Sequence, residues 1–246
     1  TKKMYSQIDS NKRKTAILIA LFTVLVLFIG WTFSVYTKTG YSGVIIAAIF
    51  SVVMTLIGYY RGDKIALATS GARHIAREKN PYLYRIVENL SITAGIPHPQ
   101  IYIIQDPAIN AFATGRDPQH ASIAVTSGAI QSLKNEELEG VIAHELSHIK
   151  NYDIRLMTVV LVLVGLIALL SDWFIRIRFY GNRDRNSRSH GQAGGILILI
   201  GIIFLVLAPI IGKIIQLAIS RKREFSADAS GSLLTRYPEG LANALE

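Results

Sequence analysis

Two histidines and a glutamate within five residues carry the strongest chemical signal in this chain: His144-Glu145-Leu146-Ser147-His148, an HExxH motif. On a helix, residues i and i+4 project from one side about one turn apart, so both imidazoles reach a single tetrahedral cation. Glu145 points to an adjacent angle, beside a water on the metal rather than at the metal itself. From there its carboxylate takes the water's proton and later delivers it to a leaving amine. Zinc suits a nitrogen and oxygen ligand set and lowers the pKa of its bound water to about 7. The chain has no cysteine, which excludes thiol nucleophiles, thiolate zinc sites and iron–sulfur clusters.

Two histidines and a water leave one protein ligand to be found. Glu224 is the best candidate, within Arg223-Glu224-Phe225-Ser226-Ala227-Asp228. Asp228 stands at i+4 from Glu224 and is expected to accept the free N–H of a ligating histidine, fixing its tautomer and ring orientation. Alone, this spacing is also an ordinary helical charge pattern alongside Arg221–Arg223; paired with HExxH it gains weight. Asp153, five residues after His148, is a second outer carboxylate or a cap for the following helix. His74, His98, His120 and His190 have no partners at ligand spacing and read as surface or packing residues.

The elements that must position these groups follow from periodicity. Ser70–Asn80 and Pro81–Ala94 show helical spacing, with Leu83, Ile86, Val87 and Leu90 on one face and Gly95-Ile96-Pro97 as the stop. Gln100–Gln105 and Ser122–Thr126 are β-rich, and Ala111–Thr114 is a short strand. Asn135 is expected to cap the motif helix, whose first turn carries Glu136 and Glu137. Leu138, Val141, Ile142 and Ile149 supply its buried face.

Half of the 246 residues are apolar, with mean hydropathy +0.35, and they come in long runs. Thr15–Tyr36 and Tyr41–Tyr60 contain no charge and have the length that crosses a ~30 Å hydrocarbon core, with Trp31, Tyr36, Tyr41, Tyr59 and Tyr60 near their ends. Leu156–Ser171 and Ile196–Ile219 are read as a second spanning hairpin, joined by the basic, Gly/Asn/Ser-rich loop Arg176–Gly194. Glu224 must share a side with His144, so these two runs cross either twice or not at all. The net charge of +9 sits at the membrane flanks, while Arg61–Arg155 is neutral, so nucleic-acid binding has no support. Lys2, Lys3, Lys12, Arg13 and Lys14 before the first run put the N-terminus, and then the segment after Arg61, in the cytosol. The expected organisation is an N-terminal transmembrane hairpin (1–60), a cytosolic catalytic domain (61–155), a second apolar hairpin (156–219) and a C-terminal catalytic segment (220–246).

HELSH at 144–148, REFSAD at 223–228 and Asn110-Ala111-Phe112-Ala113-Thr114-Gly115 together resemble the HtpX family of membrane-embedded zinc metalloproteases, relatives of the CAAX prenyl endopeptidases. The resemblance covers essentially the whole chain. It implies His144, His148 and Glu224 as ligands of one zinc ion, Glu145 as general base, and Asn110, Ala111, Phe112 and Ala113 beside the cleft. An edge strand there would pair with an extended substrate backbone, giving broad sequence tolerance. It further implies quality control of damaged or misfolded membrane proteins in the bacterial inner membrane. The family continues past Glu246 with a helical segment carrying a His-Pro motif, which nothing here matches. With a start at Thr1, that is expected of a fragment, and a transition-state-stabilising group is expected in the further part.

The expected fold is a mostly α membrane protein with four transmembrane helices and an α+β, gluzincin-like metalloprotease domain, its small sheet beside the HExxH helix. The other class of function weighed is a non-catalytic membrane scaffold or chaperone with a residual zinc site. Glu145 argues against it, because a structural site needs no general base. A protease with HExxH inside a span is disfavoured by Lys134, Glu136, Glu137, Glu139, Lys150 and Asp153 around the motif. The sequence leaves the oligomeric state and the physiological substrate open.

Overall fold

The computed structural model describes residues 2–180 and 220–245. The chain divides into two compact units, one comprising Thr1–Ile17, Met54–Val159 and Ser220–Glu246, the other containing Leu18–Val53. The first expected span lies in helix α1 (Lys2–Thr37) and the second in α2 (Ser42–Thr69). Among the described residues, Ile8–Val35 and Ser42–Thr69 are long and apolar enough to cross a membrane. Within the second unit the two helices meet at small residues. A Cβ added at Gly30 or Gly43 would collide with Gly43 O or Ser34 Oγ, so the backbones approach as closely as glycine permits. The Ser34 hydroxyl accepts a hydrogen bond from the Gly43 amide at 2.9 Å. Apolar side chains such as Val24, Ile46 and Ile49 face outward, as lipid-facing residues do. The α2 helix continues past Tyr60 through Arg61, Asp63 and Lys64 to Thr69.

The first unit is built on a four-stranded mixed sheet of order β1-β2-β4-β3: β1 (Arg73–His74), β2 (Gln100–Ile104), β3 (Ala111–Gly115) and β4 (Ala121–Thr126). Strand β4 pairs parallel with β2 and antiparallel with β3. All six β4 residues are buried, as a central strand covered on both faces requires. Helix α3 (Pro81–Ala94) begins where the Asn80 side chain accepts from the Leu83 amide and ends at Gly95, whose φ of 69° is the left-handed cap. Its Leu83, Ile86, Val87 and Leu90 pack with Ile101, Ile123 and Val125 of the sheet and with Leu138, Ile142, Leu146 and Ile149 of α5 (Asn135–Lys150). Val141, expected on that face, is only half-buried; Leu146 fills the place.

Two local expectations are corrected. Ser70–Asn80 is not a helix: Gly71 turns the chain at φ 68°, β1 follows, and Arg77–Lys79 is a 3₁₀ turn. Pairing of Arg73 and His74 with β2, continued by the Ile75 amide on the Ile101 carbonyl at 3.2 Å, overrides a weak helical propensity. Helix α5 is capped at Lys134 rather than Asn135, because Glu137 reaches back to accept from the Lys134 amide at 2.8 Å. The segment Ser127–Ser132 forms a short α4, started by the Thr126 side chain.

Beyond α5, α6 (Asp153–Tyr180) carries the third apolar run in one helix that continues past Asp172 and takes up the first residues of the expected Arg176–Gly194 loop. The remainder of that loop and the run Ile196–Ile219 lie outside the described residues. The C-terminal segment supplies α7 (Arg221–Thr235) and α8 (Pro238–Leu245).

Candidate metal centre

Helix α5 presents His144 and His148, and α7 brings Glu224 and Asp228 to them. The approach of these helices is set by Gly231 on α7: an added Cβ would lie 3.0 Å from the His144 amide nitrogen and 3.2 Å from its Cα. Gly140 and Gly240 do the same where α8 meets the start of α5. A side chain at Gly231 would press on the His144 backbone, and one of the two helices would have to give by a few tenths of an ångström.

The three candidate ligands converge on one point. The Nε2 atoms of His144 and His148 are 3.1 Å apart, and Glu224 Oε2 lies 3.5 Å from the first and 3.7 Å from the second. A tetrahedral zinc with bonds of about 2.0–2.1 Å holds its ligand atoms roughly 3.3–3.4 Å from one another, so this triangle fits the ion. Both rings have a carboxylate behind them. Asp153 Oδ2 is 3.1 Å from His148 Nδ1. Asp228 Oδ1 is 2.9 Å from His144 Nδ1, at ion-pair distance but out of line for a hydrogen bond. Asp153, which the sequence left between outer carboxylate and helix cap, sits in the first turn of α6, 2% exposed and turned toward His148.

The electrostatics of the metal-free site follow from this packing. Burial alone would lower His148, but the adjoining Asp153 and Glu224 carboxylates outweigh it and push the imidazole up to about 10. Burial and the neighbouring His148 charge hold His144 below its ordinary value. Glu224 is kept below the usual carboxylate range, chiefly by the neighbouring His148 imidazole. Glu145 is pushed up to about 7 by burial, with the His148 charge and the Ala113 backbone amide restraining the rise.

That amide places strand β3 next to the base. Ala111, Phe112 and Ala113 lie on β3, whose outer edge is unpaired among the described residues. Asn110 precedes the strand; its amide donates to Thr126 Oγ1 at 3.0 Å and its carbonyl accepts from the Thr126 amide at 3.0 Å. The structure therefore brings together His144, His148, Glu224 and Asp228, with Glu145 alongside and Ala113 next to Glu145.

The model of peptidase family M48 matches residues 77–245. A protease HtpX homolog of Dictyoglomus turgidum is 46% identical over 242 residues, covering 98% of this chain and 78% of the relative. One from Thermoanaerobacter pseudethanolicus is 47% identical over 246 residues, covering all of this chain and 82% of the relative. Among solved structures, a crystal structure of Ste24p from S. mikatae aligns with TM-score 0.53 and 20% identity; it covers all of this chain, which spans 59% of that protein's length. This last likeness is one of fold.

Proposed function

As a chain that belongs to peptidase family M48, this protein is a membrane-bound metalloprotease, and we propose that it is a zinc-dependent endopeptidase acting on damaged or misfolded membrane proteins. The observation that carries this reading is the triangle of His144, His148 and Glu224, with Glu145 and the edge of β3 that is unpaired among the described residues beside it. Zinc held by these three residues would supply Lewis acidity toward a peptide carbonyl and toward water. Glu145 takes the proton of the attacking water and hands it to the leaving amine. A carboxyl lifted toward neutrality suits both halves of that transfer. Asp153 orients the His148 imidazole, and Asp228 stands at ion-pair distance behind that of His144.

Strand β3, from Ala111 to Ala113 with Asn110 leading in, receives the extended substrate backbone. Recognition through main-chain hydrogen bonds tolerates many side chains, which suits a protease whose substrates share damage rather than sequence. A scaffold with a residual metal site would have no use for Glu145.

The cleavage test uses the full chain purified in detergent with an unfolded model protein. Internal cuts should appear, stop when the metal is chelated, and return on zinc addition. Cleavage indifferent to chelation would sink the reading. We place the protein in a bacterial inner membrane with the metal centre facing the cytosol. Because the chain has no cysteine, a single cysteine at Lys38 reports topology cleanly. An impermeant thiol reagent should label it from outside intact cells, whereas one at Lys64 should stay unlabelled; the reverse pattern would invert the orientation.

A further inference from the structure

The turn that ends the HExxH helix is gripped by the N-terminal helix. Tyr152, between α5 and α6, has φ 59°, a left-handed conformation that a bulky residue keeps only where its surroundings over-determine it. Lys12 Nζ on α1 lies 4.9 Å from the centre of the Tyr152 ring, and the Arg155 guanidinium lies 5.1 Å from it. Next to this ring, Asn11 on α1 is 3% exposed. Its Nδ2 donates to the Asn151 carbonyl at 3.0 Å and to Asp153 Oδ1 at 2.6 Å. The other oxygen of Asp153 is the one that faces His148 Nδ1 at 3.1 Å. Arg223 Nε, at 3.8 Å from Asp153 Oδ1, adds a cation on the same side as Asn11.

We infer that Asn11 is a positioning residue for the metal centre, acting through Asp153 on His148. A carboxylate with one oxygen pinned by a buried donor has a single orientation left for the other. Here that orientation takes the Nδ1–H of His148 and turns its Nε2 toward His144 and Glu224. An amide serves this role without neutralising the carboxylate, which a lysine or arginine at the same contact distance would do. Its second bond, to the carbonyl of Asn151, fixes the amide itself and ties the turn to the same helix. The N-terminal end of α1 thereby supports the metal centre, though it contributes no ligand.

This inference rests on the reading that His144, His148 and Glu224 hold zinc, and the experiment separates the two. Zinc affinity of the full chain in detergent is measured by chelator competition for wild type, Asn11→Leu, Asp153→Asn and the double variant. Cobalt(II) absorption spectra and kcat and KM for an unfolded protein substrate are recorded alongside. Asn11→Leu should weaken zinc binding about tenfold, at the lower end of what outer-shell changes do. It should also alter the cobalt spectrum and lower kcat with KM retained. In the Asp153→Asn background the same change should add less than about twofold, because its route of action is already gone. Asn11→Ser guards against misfolding of the leucine variant. It borders a cavity of about 170 Å³ lined in part by Ser10, Lys14 and Ser226, with room for water, and should show the same loss. Unchanged affinity and spectrum in both Asn11 variants, or losses that multiply fully in the double variant, would overturn the inference. Failure of wild type itself to bind zinc would instead strike the site reading.

Discussion

Glu145→Gln is expected to reduce peptide-bond cleavage roughly a thousandfold, within the range assigned to a positioned general base, while metal uptake stays near wild type. Glutamine keeps the shape and loses only the ability to accept a proton. Metal content and cleavage measured on the same preparation check this: a variant that binds metal and still cleaves would remove Glu145 from the mechanism. The same substitution should stabilise the metal-free protein. Burial raises Glu145 from 4.5 to about 7 in the folded state. The penalty is therefore absent below the unfolded value, grows as pH rises, and is complete above about pH 7. Glutamine relieves about 3 kcal/mol at pH 8 by that reckoning and nothing near pH 4. Thermal midpoints of chelator-treated wild type and variant should diverge with rising pH; an equal gap at pH 4 and pH 8 would show that ionisation of Glu145 is not the cause.

His148→Ala should weaken metal binding by more than about a hundredfold, beyond what outer-shell changes produce, and also destabilise the metal-free protein. Asp153, 2% exposed, would lose the partner at its Oδ2, and a buried charge stripped of a partner costs several kcal/mol. Wild type should show the matching pH dependence. His148 is raised from 6.5 to about 10 in the metal-free protein, so its pairing stabilises the fold fully below pH 6.5. That contribution is lost as pH rises through about 10. Metal uptake at pH 8.5, where Glu145 is already ionised, should therefore release at least one proton, that of His148. Calorimetric titration in two buffers of different ionisation heat gives that number directly. Zero proton release would mean that His148 is already neutral before the metal arrives.

The sequence by itself determined whatever depends on short spacing. His144 and His148 fall four apart on a helix whose apolar period is plain, and Glu145 lies between them. The two N-terminal apolar runs declare their length, the β-rich run Gln100–Gln105 its extended form, and Gly95-Ile96-Pro97 the end of α3. Such features repeat or terminate within a few residues, so they leave a local trace.

Only the tertiary structure decided how distant pieces meet. Ser70–Asn80 has helical spacing, yet pairing with β2 makes part of it a strand, because sheet hydrogen bonds to Ile103 and Tyr102 outweigh a propensity of a few tenths of a kcal/mol per residue. Gly231 shows no special local pattern; its role emerges where α7 rests on the His144 backbone. Asp153 had two equal readings until its carboxylate was seen facing His148. Asn11, 142 positions from Asp153, had none, since a single buried amide bond between remote residues leaves no periodicity in either segment. Local spacing put the ligands on their helices; close packing and buried hydrogen bonds, which act between surfaces rather than along the chain, set how those helices and their supports are aimed.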